Sequence, residues 1–165
     1  MLLLVFIIYL VSLSVDATTT LFDGTWQLDP HRDIGSCKEV MRLIGESSIR
    51  SSIICSLTVT ETMSLSVKSL HLVRVTRYSR TEQTFQWNIE EVVDDLLLGN
   101  TKQTLTMLDD RHMKTVSRRT ENGLYVGLRK IDPKNNNLVI YTMNYTAPGG
   151  RRASVVRYFT RMYGI

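Results

Sequence analysis

The sequence contains few of the residues that build disulfide scaffolds and metal sites. Its 165 residues include only 2 cysteines and 3 histidines. Two cysteines form at most one disulfide, so a fold built on several disulfides is excluded and a hydrophobic core must supply most of the stability. His31, His71 and His112 are scattered, with no zinc-type spacing to one another or to the cysteines. The length and the absence of a Gly-, Ser- or Pro-rich linker indicate one domain.

Motifs of common enzymes and of nucleic-acid-binding proteins are also missing. There is no G-x-S-x-G elbow, no P-loop and no G-x-G-x-x-G. The acidic pairs Asp94-Asp95 and Asp109-Asp110 fall where turns are expected, which favours solvated over catalytic carboxylates. The net charge is only +4, and no basic run exceeds a dipeptide such as Arg118-Arg119. We therefore expect neither an enzyme nor a nucleic-acid partner, and no cofactor.

A single long apolar run lies at the beginning of the chain. Residues 2–11 read LLLVFIIYLV, which is shorter than the ~20 apolar residues that a transmembrane helix needs. Val15-Asp16-Ala17 then offers the small-x-small pattern of a signal-peptidase site. No Lys or Arg precedes the run, which leaves an uncleaved anchor as the alternative. The pattern predicts a signal peptide over 1–17, a domain over 18–165 and a secreted, extracellular protein.

Export has two consequences for particular side chains. An oxidising compartment would permit a disulfide between Cys37 and Cys55, although the sequence equally allows two free thiols. Asn144-Tyr145-Thr146 is an acceptor sequon for N-glycosylation, which matters only in an exported chain. Both features are expectations that depend on the leader.

Beyond the leader, the dominant period of the sequence is two. Leu57, Val59, Met63, Leu65 and Val67 alternate with threonines and serines, a pattern typical of a half-buried strand. Further segments rich in strand-forming residues, most of them separated by short turn-like stretches, are LHLVRVTRYS, TEQTFQWNI, TKQTLTML, HMKTVSRRT, LYVGLRKI, NLVIYTMNYT and ASVVRYFTRMY. Many short strands at this spacing predict an antiparallel sandwich or barrel.

One stretch departs from this rhythm. Between residues 33 and 54 the apolar residues recur at helical spacing, with Gly45 in the middle. The spacing predicts two short helices, roughly 36–44 and 47–54, between the first and second strands.

Four motifs occur in an order that is similar to one known family. Phe22–Trp26 reads F-D-G-T-W, Val40–Gly45 reads V-M-R-L-I-G, Thr81–Phe85 reads T-E-Q-T-F, and Thr160–Tyr163 reads T-R-M-Y. With a strand, a helix pair and a strand meander, they resemble the intracellular lipid-binding (fatty-acid-binding protein) family of the calycin superfamily. The resemblance implies an all-β, ten-stranded antiparallel up-and-down β-barrel with a two-helix lid between strands 1 and 2.

The chain also departs from that family's pattern. The stretch between Trp26 and the first helix is a few residues longer, and further small insertions lie between Met107 and Leu124 and around Pro148. The related lipocalins share the G-x-W opening and are the rival fold, with eight strands and a C-terminal helix. The closing R-x-Y of Arg161–Tyr163 favours the first family.

The resemblance also implies which side chains would hold a ligand. In the family, an arginine on the antepenultimate strand and the Arg and Tyr of the last strand bind the ligand's carboxylate. Matched residue by residue, these are Arg129, Arg161 and Tyr163. Arg161 and Tyr163 are two residues apart and would share one face of a strand. A carboxylate would supply the partner that a buried guanidinium needs.

Other side chains receive supporting roles. Tyr78 resembles the aromatic at the family's portal turn, Met41 is expected to project from the first helix over the cavity mouth, and Trp26 is expected to close the barrel floor. Cations on the helices (Lys38, Arg42 and Arg50) could contact an anionic membrane transiently, although a solvated helix face is the commoner reason for such residues. The remaining strand arginines are expected to be solvated, namely Arg74, Arg77, Arg80, Arg118, Arg119 and Arg157.

The sequence leaves three functional interpretations open. The resemblance implies a monomeric extracellular carrier of a long-chain fatty acid or similar hydrophobic ligand. The alternatives are a lipocalin-type carrier or a secreted interaction protein whose barrel is filled by its own side chains.

Overall fold

The computed structural model describes residues 20–95, 99–119 and 123–163. Ten strands follow one another along the chain: β1 (Gly24–Gly35), β2 (Thr60–Leu65), β3 (Ser69–Val75), β4 (Arg80–Gln86), β5 (Glu90–Asp95), β6 (Gly99–Asp109), β7 (His112–Arg119), β8 (Leu124–Asp132), β9 (Asn135–Thr146) and β10 (Arg152–Met162). Two helices, α1 (Cys37–Ile44) and α2 (Ser48–Ser56), lie between β1 and β2. The signal-peptide prediction and its cleavage after Ala17 lie outside the described residues.

The strands form one antiparallel sheet that curls into a barrel. Their order is β4-β3-β2-β1-β10-β9-β8-β7-β6-β5, so consecutive strands pair except β4 and β5, and β1 pairs with β10. Beyond Gly150 the described residues form β10 and contain no helix, in contrast to a lipocalin barrel. The predicted ten-stranded fold with its two-helix lid is confirmed.

The barrel is not completely closed, because β4 and β5 stand at the two ends of the strand order. A few contacts connect the two sides of this seam. The Asn88 amide donates to the Leu105 carbonyl at 2.8 Å, and the Gln86 amide donates to Glu91 Oε1 at 3.1 Å. We refer to the line between β4 and β5 as the seam.

A bulge in β1 accounts for the longer stretch before the first helix. Asp29 pairs with Tyr158 and Ile34 pairs with Val156, so residues 30–33 stand opposite Arg157 alone. A bulge of this kind bends its strand and re-aims the extra side chains. Pro30, which has no N–H for the ladder, falls within it.

The helices begin and end where the sequence indicates. Ser36 Oγ accepts from the Glu39 amide and Ser47 Oγ accepts from the Arg50 amide, so each helix has a serine N-cap. Gly45 ends α1 with φ 107°, a left-handed conformation that favours glycine. The two predicted helices are therefore confirmed, within two residues at each end.

A disulfide joins the two helices. Cys37 in α1 and Cys55 in α2 are bonded, with an S–S distance of 2.02 Å and a Cα–Cα distance of 5.8 Å. The sequence left this pairing open, and the bond fixes the first turn of one helix to the last turn of the other.

Strand β5 is the element that the sequence pattern did not indicate. Its sequence, EEVVDD, is mostly acidic, and it pairs with β6 from Glu90↔Thr104 to Asp95↔Gly99. The expectation that Asp94-Asp95 lies in a turn is wrong, because both residues pair within this ladder. Pairing with a neighbouring strand has outweighed a composition unfavourable to strands.

One end of the barrel is closed by a small apolar cluster. Trp26 and Phe22 are completely buried, and Trp26 Nε1 donates to the Phe22 carbonyl at 2.9 Å. Trp26 thus occupies the floor position expected for it. In the part of the chain described here, no helix is long and apolar enough to cross a membrane.

Candidate functional site

A cavity of about 460 Å³ lies inside the barrel. Apolar side chains form most of its wall: Leu28, Ile44, Leu70, Leu72, Phe85, Leu105, Met143 and Phe159. Its exposed lining residues include Arg50 and Ile53 on α2 and Tyr78 in the turn between β3 and β4. The cavity therefore opens between α2 and this turn, opposite the floor.

Arg129 faces this cavity, as the family resemblance implies. It is only 6% exposed on β8, and its Nη2 donates to Glu61 Oε1 and Oε2 at 3.2 and 3.1 Å. The guanidinium carbon lies 4.1 Å from the centroid of the Tyr141 ring, a cation–π contact. Burial alone would lower the pKa of Arg129, but Glu61 raises it, so the guanidinium is charged.

Glu61 is a residue of this site that the sequence analysis did not identify. It is 2% exposed on β2, and its Oε1 also accepts from Nε of Arg74 at 2.9 Å. Burial alone would raise the pKa of Glu61, but the charges of Arg129 and Arg74 lower it below the ordinary value of 4.5. The carboxylate is therefore ionised between two guanidiniums.

A signal for Glu61 was present in the sequence. It stands between Val59 and Met63 in the period-two series, which places a carboxylate on the apolar face of the strand. Arg74 likewise shares a face of β3 with the buried Leu70 and Leu72 and lines the cavity. The expectation that Arg74 is simply solvated is therefore wrong.

Arg157 is a second buried arginine with its own carboxylate. It is 6% exposed on β10, and its Nε donates to both carboxylate oxygens of Asp33 at 3.1 Å. Asp33 comes from the bulge in β1, which explains why no strand period predicts the pair. Arg157 lines the cavity, so the expectation that it is solvated is also wrong.

Arg161 and Tyr163 do not join Arg129 in the cavity. Arg161 stacks on Trp26, with its guanidinium carbon 4.2 Å from the ring, and donates to the carbonyls of Leu21 and Asp23. It lies on the inner face of β10 but at the floor, beyond the cavity lining. Tyr163 follows the last residue of β10, is 66% exposed and donates to Asn137 Oδ1. The expected orientation of both side chains toward the cavity is corrected, because the strand reaches the floor before these positions.

The two other expected lining residues have different outcomes. Tyr78 lines the mouth of the cavity and is 63% exposed, as expected for a residue at the portal. Met41 is 1% exposed in the core under α1 and does not line the cavity. Its expected projection over the mouth is wrong; it contributes to the core instead.

Two tyrosines, Tyr125 and Tyr141, pack together next to Arg129. The hydroxyls of Tyr125 and Tyr141 are hydrogen-bonded to each other, and both residues line the cavity. Gly127 leaves room for them, since a Cβ built there would lie 2.7 Å from the Tyr141 hydroxyl oxygen. The absence of a side chain at Gly127 thus positions the ring that supports Arg129.

Two buried polar atoms of the lining have no partner among the described residues. They are Nε of Arg129, a donor, and Oε1 of Gln103, an acceptor. Buried polar atoms are generally hydrogen-bonded, so unpaired ones at a cavity wall indicate where a bound molecule can be recognised.

The arrangement is suited to binding. Among the described residues, no group of three or more His, Cys, Asp or Glu side chains is placed to hold a metal ion. The cavity offers a mostly apolar wall together with charged and hydroxyl groups inside the barrel. Such a site can enclose an apolar chain and hydrogen-bond its polar end.

Solved structures with this architecture include several lipid-binding proteins. A Schistosoma mansoni fatty acid binding protein in complex with arachidonic acid matches with a TM-score of 0.74 and 17% identity, covering 89% of this chain and all of its own. Lipid binding protein 8 of Caenorhabditis elegans, in its apo form, matches with a TM-score of 0.71 and 11% identity, covering 90% of this chain and 100% of its own. Fatty-acid-binding protein 1 of Echinococcus granulosus gives 0.71 and 13%, covering 87% of this chain and 98% of its own.

These matches show that the chain has the fold of the fatty-acid-binding proteins. The sequence itself matches no family model and no curated protein. The likeness is therefore one of architecture, and the residues of the cavity must carry the functional argument.

Proposed function

We propose that this protein is a member of the fatty-acid-binding-protein family that carries one long-chain fatty acid or related single-chain lipid in its barrel. The observation that carries this proposal is the cavity of about 460 Å³ inside the barrel, apolar over most of its wall and with Arg129 in its lining. Its volume lies within the ~300–1,000 Å³ of ordinary ligand sites. Each methylene buried there would contribute about 0.8 kcal/mol.

The alternative of a filled barrel makes an opposite prediction. An interaction protein whose core is packed by its own side chains would have no such cavity and would retain no lipid. Likewise, the site presents an apolar wall and polar groups that can hold a molecule, which supports a carrier.

The test is extraction of the natively purified protein, followed by mass spectrometry of the organic phase. We expect about one lipid per chain, together with displacement of a fluorescent fatty-acid probe from refilled protein. Leu72→Trp, which fills the cavity, should abolish probe binding, whereas Val92→Trp on the exposed outer face should not. Protein without lipid that also fails to bind the probe would contradict the proposal.

We further propose that the protein acts outside the cell. The leader pattern of residues 1–17, the disulfide Cys37–Cys55 and the sequon at Asn144 support this location. Asn144 is exposed on the outer face of β9, where a glycan would not disturb the core. Expression of the full chain in secretory cells should yield disulfide-bonded, glycosidase-sensitive protein in the medium. Retention of the chain inside the cells would contradict it.

The lid is the surface that we propose for transient membrane contact during delivery. On α2, Ile49 is 75% exposed and Ile53 is 42% exposed, beside Arg50 at the cavity mouth. Lys38 and Arg42 are exposed on α1. Apolar side chains flanked by cations favour binding to an anionic interface. Transfer of a fluorescent lipid to anionic vesicles should therefore be faster than to neutral ones and slower for Ile49→Glu; equal rates would contradict the contact.

A further inference from the structure

Each guanidinium at the cavity has a carboxylate partner before any ligand binds. Arg129 and Glu61 are 6% and 2% exposed and are paired with each other, and Arg157 is paired with Asp33. The third guanidinium at the cavity, that of Arg74, is also bonded to Glu61, and its side chain is 22% exposed.

Glu61 already occupies the position beside Arg129 at which an ionised ligand would form its ion pair. Its carboxylate already accepts hydrogen bonds from both Arg74 and Arg129. A ligand carboxylate that approached Arg129 would place a second negative charge beside Glu61 in a site of low dielectric constant. Like charges in such a site disfavour each other's ionised form.

The unpaired atoms of the cavity lining include both a hydrogen-bond donor and a hydrogen-bond acceptor. Nε of Arg129 is a donor that needs an oxygen acceptor, and Oε1 of Gln103 is an acceptor that needs an N–H or O–H. An ionised carboxylate can only accept hydrogen bonds, whereas a hydroxyl or a primary amide both donates and accepts. An uncharged polar head group can therefore pair with either kind of atom.

We propose that Glu61 is a specificity-determining residue that makes the cavity prefer uncharged single-chain lipids, such as long-chain amides, alcohols or monoacylglycerols, over ionised fatty acids. This inference rests on the proposed lipid-binding function and narrows its ligand class. In this arrangement the ion pair with Glu61 neutralises the charge of Arg129, and the lipid head group that binds beside it is uncharged.

The first test needs no variant. A competition experiment measures how four lipids displace a fluorescent probe from the delipidated wild-type protein at pH 8. The lipids are hexadecanamide, hexadecanol, 1-hexadecanoylglycerol and hexadecanoic acid, each used below the concentration at which it aggregates. We expect each uncharged lipid to bind about tenfold or more tightly than the acid, as the loss of a hydrogen bond to a charged group would produce. An acid that binds as tightly as the amide overturns the inference but leaves lipid binding intact. Failure of all four lipids to bind would instead contradict the proposed function.

The second test removes the charge of Glu61. Glu61→Gln should raise the affinity for hexadecanoic acid about tenfold or more and change that for hexadecanamide by less than about threefold. Glu82→Gln is the matched control, because Glu82 has a side chain 56% exposed and does not line the cavity. Should Glu61→Gln fail to fold, the double variant Glu61→Gln, Arg129→Gln leaves the net charge of the interior unchanged. It should still bind the amide and gain nothing for the acid; a gain for the acid in this variant overturns the inference.

Discussion

Arg161 shows how a guanidinium can be held inside a fold without a carboxylate. Its planar group covers the Trp26 ring, and its N–H groups donate to the carbonyls of Leu21 and Asp23. These contacts connect the last strand to the segment that precedes the first. The residue thus fastens the floor of the barrel, where the two ends of the described chain meet.

We expect Arg161→Leu to destabilise the protein without weakening lipid binding. Loss of two charge-assisted hydrogen bonds and of the ring contact should lower the free energy of unfolding by about 2 kcal/mol. Urea unfolding measures the first effect and probe titration the second. Arg80→Leu, at an exposed side chain of β4, serves as the control and should change neither quantity appreciably. A fall in affinity for Arg161→Leu at unchanged stability would restore a ligand-binding role to this residue.

At this scale the sequence predicted part of the site. Motif matching identified Arg129 correctly as a cavity residue, but Arg161 does not line the cavity and Arg157 does. The period-two pattern alone could have identified Arg157, because it shares a face with Val155 and Phe159. Asp33 could not be found in this way, since its inward direction depends on a bulge whose register is set by β10.

Among the elements, the helix pair was the most predictable. Serine caps, Gly45 and the apolar spacing all act within a few residues of the chain, so local sequence determines both helices. Strand β5 was not predictable in the same way, because its only strong support is the ladder with β6. Elements that are determined by nearby residues can be predicted from the sequence, whereas a strand that is stabilised mainly by pairing with another strand cannot.

The disulfide between α1 and α2 should stabilise the lid. It closes a loop with a sequence separation of 18 residues, and restricting such a loop in the unfolded chain contributes about 3 kcal/mol. We expect Cys37→Ser, Cys55→Ser to lower the free energy of unfolding by that amount and to speed release of a bound probe. Stopped-flow dilution and urea unfolding measure these effects, with reduced wild type as the matched comparison. Unchanged release in both samples would show that the lid is fixed by its other contacts.

At the scale of the whole molecule, the buried ion pairs make the free energy of unfolding depend on pH in the acidic range. The pKa of Glu61 is lowered in the folded state, so its contribution is fully present well above the ordinary value of 4.5 and is lost as pH falls below it. We expect the free energy of unfolding of the wild type to fall below about pH 4.5. The double variant Glu61→Gln, Arg129→Gln should fall less steeply over the same range.

Asp109 provides the control for this measurement. Hydrogen bonds from the backbone of Arg111 and from His112 lower its pKa too, but it lies at the surface. Asp109→Asn should therefore keep most of the wild-type acid dependence. Parallel curves for the wild type and the double variant would show that the buried pair does not govern acid unfolding.

The seam between β4 and β5 has a mechanical consequence. Elsewhere in the described barrel, neighbouring strands are tied by ladders of backbone hydrogen bonds, and enlarging the circumference would break them. Between the described residues of the two sides of the seam, only a few contacts near Asn88 and Gln86 resist separation, so we expect the wall to be most easily deformed there. Widening at the seam would let the barrel enclose molecules of different cross-section at little cost to its secondary structure.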